Sequence, residues 1–342
     1  TFATGGGTIN LTGTTEAAGG ITVVASGDST TDTVTLDNNA DAVDIFSGEA
    51  ITATEVETLI INTTGVDGSD TNTVSGVANT IGAITLSVDT GGASKVEFVG
   101  DQQITTAVIT ADTIDASGLT GTTGFINSAA AVTLTTDGTL TFTGSAGADT
   151  IIGDADDNNV INGGAGNDTI TGGDEIDTLN GEAGNDTINI GGTALSTISG
   201  GAGNDTVVSV EELTYGQTIT GGAGTDTLQM TDDNEAASVL SVVSGFEILN
   251  LAGAASGAQD VDLGNFSNNT FTSVNLDNVI TTITGHTSET ITIDATMTAA
   301  VGITADTAAS VTTDSITLNT LMADYGDNTG DITLTNIESV TI

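Results

Sequence analysis

The chain has 342 residues, of which 46 are acidic against one lysine (Lys95) and one histidine (His286), and its formal net charge is −45. A surface of that sign repels nucleic acid and anionic lipid, and it needs cations to be neutralised. Cysteine is absent, so neither disulfides nor thiolate metal sites stabilise it, and no apolar run approaches the roughly 20 residues that cross a bilayer. Apolar content of 37% supports a continuous core, and aromatics at 3% predict an aliphatic one. Proline is absent too, which suits long ladder-bonded strands. The chain starts at Thr1 with no visible signal peptide, as expected of a mature fragment or a piece of a longer protein.

Residues 1–143 are Thr-rich, with short alternating runs: ITVVA at Ile21, TVTL at Thr33, TLIIN at Thr58, AITLSV at Ala83 and VTLTT at Val132. Alternation of Thr with aliphatics is the period-two signature of strands. Only 50–57 and 232–243 hint at a helical period. An early turn, GDSTTDTVT from Gly27, puts Asp28 and Asp32 where carboxylates could hold a cation and Val34 where a core residue belongs. A calcium site at Asp28 and Asp32 is one reading of this turn, and an acidic surface turn is the other.

Residues 144–229 are built on a nine-residue period, G-G-x-G-x-D-x-U-x with U apolar, which belongs to a solenoid. The first six residues of each nonad make a turn and the last three a short strand. The middle strand residue points inward: Ile151, Val160, Ile170, Leu179, Ile188, Val207 and Leu228. Two nonads make a coil, so alternate turns share an edge. One edge keeps its pattern throughout, with turn glycines Gly144 and Gly147; Gly163, Gly164 and Gly166; Gly181 and Gly184; Gly200, Gly201 and Gly203; Gly221, Gly222 and Gly224. Its turns end on Asp149, Asp168, Asp186, Asp205 and Asp226. Glycine carbonyls plus carboxylates are the hard oxygens that Ca²⁺ selects. A ladder of several calcium ions is expected along this edge. The opposite edge decays, with about one site expected near Asp154, Asp156, Gly172, Asp174 and Asp177. There Asn158 and Ser196 replace the ligand Asp and Glu175 replaces a turn Gly.

At these residues the chain resembles the RTX family of calcium-binding β-roll proteins. The resemblance implies an all-β fold, a parallel β-helix or β-roll, with secretion by a type I system and folding triggered by extracellular calcium. The segment TIDASGLTG at Thr113, a strand followed by a turn, resembles a stretch found between strands of bacterial surface-layer and RTX proteins. A longer repeat also resembles surface-layer proteins. DTVTL at Asp32 closes with VETL around Glu57, DTLQM at Asp226 with FEIL around Glu247, and DSITL at Asp314 with IESV around Glu338. Each glutamate sits before a strand at an expected solenoid corner, either solvated or serving as an extra calcium ligand.

Residues 230–342 return to strand text with a looser period: EILNLAG, VDLGNF, FTSVNLD, TTITG, TITID, SITLNT, DITLT and SVTI. They are read as a β-helix continuation. No P-loop, nucleophile elbow or zinc-hydrolase motif is present. Lys95 and His286 lie in different regions, and His286 is expected in a surface loop, so the chain does not read as an enzyme. The expected function is that of an extracellular structural protein, elongated and calcium-stabilised, that assembles into a surface layer or filament. A stalk or binding module of a large adhesin is the alternative. The expected partners are further copies of the chain and a cell-surface polysaccharide, with no nucleic acid and no membrane insertion.

Overall fold

A computed structural model describes residues 7–11, 20–25, 32–38, 48–63, 79–88, 92–101, 103–120, 123–127, 139–192, 194–209, 213, 216–230, 243–251, 259–266, 268–276, 280–286, 290–293, 301–305, 315–320, 332–335 and 339–341. The fold is all-β and forms two compact units, Thr1–Asp186 and Thr187–Ile342. Each is a parallel β-solenoid, and every pairing described within either unit is parallel.

The first unit begins with three-sided coils. One face stacks Gly7–Leu11, Thr33–Asn38, Thr58–Asn62, Lys95–Gly100 and Thr113–Leu119 in order. A second stacks Ile21–Val24, Ile51–Thr54, Ile84–Ser87 and Ile109–Thr110, and a third stacks Asn79–Ile81, Ile104–Thr106 and Thr123–Asn127. From Thr139 onward the second face is lost. The coils narrow to two sides, Thr139–Thr143 with Ala148–Ile152 and then Asn158–Ala165 with Thr169–Thr171. The nonads are what allow this narrowing. A turn of six residues followed by three of strand is too short to supply a third wall.

Strands form here because β-branched and aliphatic residues alternate with Thr and Asn, and the alternation matches the pleat. In strand Thr58–Asn62 burial alternates residue by residue, with Leu59 and Ile61 fully enclosed. Ile151, Ile170 and Leu179 fill the two-sided coils as expected, and so do Ile188, Val207 and Leu228 in the second unit. Val160 does not. The buried residue is Ile161, which pairs with Phe142 on one side and Leu179 on the other, while Val160 faces outward. The turn GDADDNN carries one residue more than a nonad allows, and that residue shifts the register by one.

The core is also not purely aliphatic. Phe98, Phe125 and Phe142 are fully buried and stacked, with successive ring centroids 5.1 Å apart. They run from the last three-sided coils into the first two-sided one.

In the second unit Thr197–Ala202, Thr218–Ala223 and Val243–Ser244 form one face. Another stacks Thr187–Asn189, Thr206–Ser209, Thr227–Met230, Ile248–Leu251, Ser273–Leu276, Thr290–Ile293, Ser315–Thr320 and Ser339–Thr341. A third stacks Gln259–Asp262, Ile280–His286, Val301–Ala305 and Ile332–Thr335. Part of the VDLGNF run is a short 3₁₀ turn, Leu263–Phe266, not strand. Its Phe266 meets Phe271 edge-on at 5.4 Å. His286 ends a strand, pairing with Ala305, and does not lie in a loop. The first suggested helical stretch is instead strand Ile51–Thr54 and the corner that follows it. The second lies outside the described residues, as do the VTLTT run, Asp28, Asp314 and Glu338.

Candidate metal centre

The edge that keeps its glycines is a chain of carboxylates. In the first unit the Asp149 N–H donates to Asp168 Oδ1 at 2.8 Å, and the Asp168 N–H donates to Asp186 Oδ1 at 2.8 Å. In the second unit the Asp205 N–H donates to Asp226 Oδ1 at 2.8 Å. All five aspartates are buried. Each such bond ties one coil to the next through a single carboxylate oxygen.

The second oxygen is what makes the edge a candidate. Oδ2 of Asp168 and Oδ2 of Asp226 are buried and have no hydrogen-bond partner. A buried ionised carboxylate is costly unless paired or coordinated. The glycines leave room beside these oxygens. A Cβ placed on Gly163 would stand 2.5 Å from Asp168 Oδ2 and 2.9 Å from the Gly181 carbonyl oxygen. Carboxylate and carbonyl oxygens from two coils therefore converge where a side chain would be. Gly164 (φ 106°), Gly166 (φ 126°) and Gly184 (φ 139°) hold backbone conformations that L-residues rarely adopt, and their counterparts Gly201, Gly203, Gly222 and Gly224 do the same. Glu182 takes such a conformation (φ 73°) without being glycine.

The electrostatics follow from this packing. Burial pushes the Asp168 carboxyl up to about 7, and the nearby carboxylates of Asp149, Asp186 and Glu182 push the same way. Burial also raises Asp149, Asp186 and Asp226, and for Asp226 the charges of Asp205 and Glu247 add to it. This oxygen-only donor set fits Ca²⁺. Bound there, the ion would supply the positive charge that lets neighbouring coils carry ionised carboxylates side by side. Among the described residues no group of three or more His, Cys, Asp or Glu converges as a metal cluster. The edge offers few carboxylates per step and completes the set with glycine carbonyls.

The first turn of this edge is different. Ser145 stands where the other turns have Gly or Glu. Its N–H donates to Asp149 Oδ2 at 2.6 Å and its hydroxyl to Oδ1 at 2.8 Å, and the Phe125 N–H also donates to Oδ1. Protein donors already hold both oxygens of Asp149.

The opposite edge is closed in the same manner. Asp177 Oδ1 accepts from the Asn159 N–H (2.8 Å) and Nδ2 (2.7 Å), and its Oδ2 accepts from the Gly173 N–H (2.8 Å). The Asp154 N–H donates to Asn159 Oδ1 at 2.8 Å, and Asp154 Oδ1 accepts from the Asp156 N–H at 2.9 Å. Asp156, Asp174 and Glu175 are exposed, and Gly172 is buried beside Gly173. The ladder position is held by Asn159, not Asn158, through the same one-residue shift that moved the core residue. In the second unit Ser196 takes the equivalent place, and its carbonyl accepts from the Thr218 N–H at 3.0 Å.

The corner glutamates were legible in the sequence, but their bonds and the ladder at the fifth turn position were not. Of the two described corner glutamates, Glu57 is buried and Glu247 is half-buried, and each bonds the backbone of the preceding Asp. Glu57 is only 8% exposed, and its Oε2 accepts from the buried Asp32 N–H at 2.7 Å. Glu247 Oε2 accepts from the Asp226 N–H at 2.8 Å. Each closes the step that the preceding Asp opens, which explains why the two motifs recur as a pair. The fifth turn position also forms a ladder. Asn167 Oδ1 accepts from the Asn185 N–H at 2.8 Å, and Asn204 Oδ1 accepts from the Thr225 N–H at 2.9 Å. The recurring G-N-D was the available signal.

The family model of the RTX calcium-binding nonapeptide repeat matches in four copies, over residues 141–161, 156–188, 190–209 and 217–229. No curated protein and no solved structure matches the chain. RTX nonapeptide repeats bind Ca²⁺ at multiple sites. The segment 141–229 is therefore a run of RTX calcium-binding nonapeptide repeats, carried here on parallel β-coils.

Proposed function

We propose that the chain is an extracellular structural protein in which calcium at the turns ending on Asp168 and Asp186 in the first unit, and on Asp205 and Asp226 in the second, both completes folding and permits copies to assemble into a surface layer or filament. The repeats point to an extracellular calcium-binding structural role. The observation that carries the reading is the buried, unpartnered Oδ2 of Asp168, set beside the Gly181 carbonyl in a chain of net charge −45. Nothing basic is at hand to offset it. Lys95, the one lysine, is held by Asp115 at 2.8 Å and Glu97 at 3.2 Å. Cations must therefore come from solution, and extracellular calcium modules bind at about 10⁻⁴ to 10⁻³ M. Solenoid coils also end in strand edges, which pair with another chain unless covered. Further copies of the chain are the proposed partners, with a cell-surface polysaccharide as the surface on which they collect.

The test is a calcium titration of purified protein, followed together by circular dichroism and negative-stain electron microscopy. Strand signal and ordered polymers should appear together near millimolar calcium and vanish with chelator. A chain that folds with calcium but stays monomeric at high concentration favours a stalk or binding module of an adhesin. A chain fully folded without calcium defeats the reading.

A further inference from the structure

The calcium edge does not end where the nonads end. The last nonad turn runs from Gly221 to Asp226, and the next corner, Ser244–Glu247, has no nonad pattern and lies beyond the matched repeats. Yet that corner reproduces the step. The Asp226 N–H donates to Glu247 Oε2 at 2.8 Å, the same bond that Asp205 makes to Asp226. The Glu247 and Ile248 N–H groups both donate back to the Asp226 carbonyl, at 3.1 and 2.9 Å. Asp226 itself is fully buried, and its Oδ2 has no hydrogen-bond partner. That oxygen lies 2.8 Å from where a Cβ on Gly221 would stand, and the Gly245 carbonyl oxygen is the nearest atom to the same point. Gly245 reaches this position through a left-handed backbone (φ 74°).

We infer that a further calcium ion binds between the last nonad turn and the corner Ser244–Glu247, held by Asp226 Oδ2, the Gly245 carbonyl and the carboxylate of Glu247. Glutamate serves here where aspartate serves within the nonads. Its longer side chain spans from a corner with no six-residue turn. The donors are all hard oxygens and two are carboxylates, the set that selects Ca²⁺ over softer metals. This inference rests on the calcium reading of the edge and extends it by one step.

The test counts calcium bound per full-length chain by equilibrium dialysis and elemental analysis at saturating calcium. Glu247→Gln keeps an oxygen that can accept the Asp226 N–H but removes the charge. It should bind one ion fewer than the unaltered chain and keep the rest. An equal count overturns the inference and leaves the nonad sites standing. An unaltered chain that binds no calcium defeats the calcium reading itself. Should Glu247→Gln fail to fold, crystals of the unaltered chain grown with terbium decide the matter by anomalous scattering. A peak beside Asp226 Oδ2 supports the site. Peaks beside Asp168 with none beside Asp226 overturn it.

Discussion

A carboxylate at a coil corner does two jobs that a solvated acid does not. One oxygen accepts the N–H of the coil before it, and the other is available to a cation or a local donor. Asp168 keeps its second oxygen unpartnered, while Asp149 has both held by Ser145 and Phe125. The local donor therefore decides which turns need an ion. Glu57 accepts the buried Asp32 N–H, and this gives a clean substitution test. Glu57→Ala removes the acceptor of a buried N–H and should lower stability by about 1–3 kcal/mol in urea unfolding. Glu57→Gln retains an oxygen at the same reach and should cost under ~1 kcal/mol. Equal losses for the two variants would mean that Glu57 acts through its charge and not through this bond.

At the scale of the element, register is set by which strand residue enters the core, and one inserted residue reverses it. Ile161 is enclosed between Phe142 and Leu179, and Val160 faces out. Ile161→Ala should cost about 2–5 kcal/mol, whereas Val160→Ala should stay within about 1 kcal/mol. Thermal melts at fixed calcium would show the difference, and the reverse order would restore the simple nonad register. The nonad stretch was legible because its steps stay close to two nonads, 19 residues from Asp149 to Asp168, 18 from Asp168 to Asp186 and 21 from Asp205 to Asp226. The alternation of strands such as Thr58–Asn62 was legible for the same kind of reason, a fixed period of two. The three-sided coils were not, because their steps vary, 25 residues from Asp32 to Glu57 and 36 from Thr63 to Val99. No single spacing marks which strands stack. The candidate edge could be read from its Gly and Asp spacing. The closing of the opposite edge could not, since it depends on whether Asn159 and Gly173 donate to Asp177, and spacing carries no hydrogen bonds.

At the scale of the whole molecule, the carboxylates compete between protons and calcium, and the sign of the pH dependence follows. Burial pushes the Asp168 carboxyl up to about 7 from an ordinary value of 3.8, and it raises Asp149, Asp177, Asp186 and Asp226 too. The folded state therefore holds protons that the unfolded state releases. The contribution of Asp168 is fully present below the ordinary carboxylate range and is lost as pH rises through about 7, and the other raised carboxyls act in the same direction. Self-repulsion at a net charge of −45 works in the same direction. Calcium reverses the slope, because its ligands must be ionised and acid displaces it. Protein dialysed free of calcium should thus retain only part of its strand structure, and that part should melt at a higher temperature at pH 5 than at pH 8. The same protein in millimolar calcium should melt higher at pH 8. Melts by circular dichroism at the two pH values, with and without calcium, decide the matter. A calcium-free chain that melts higher at pH 8 would show that the buried carboxylates are not the groups that set its stability.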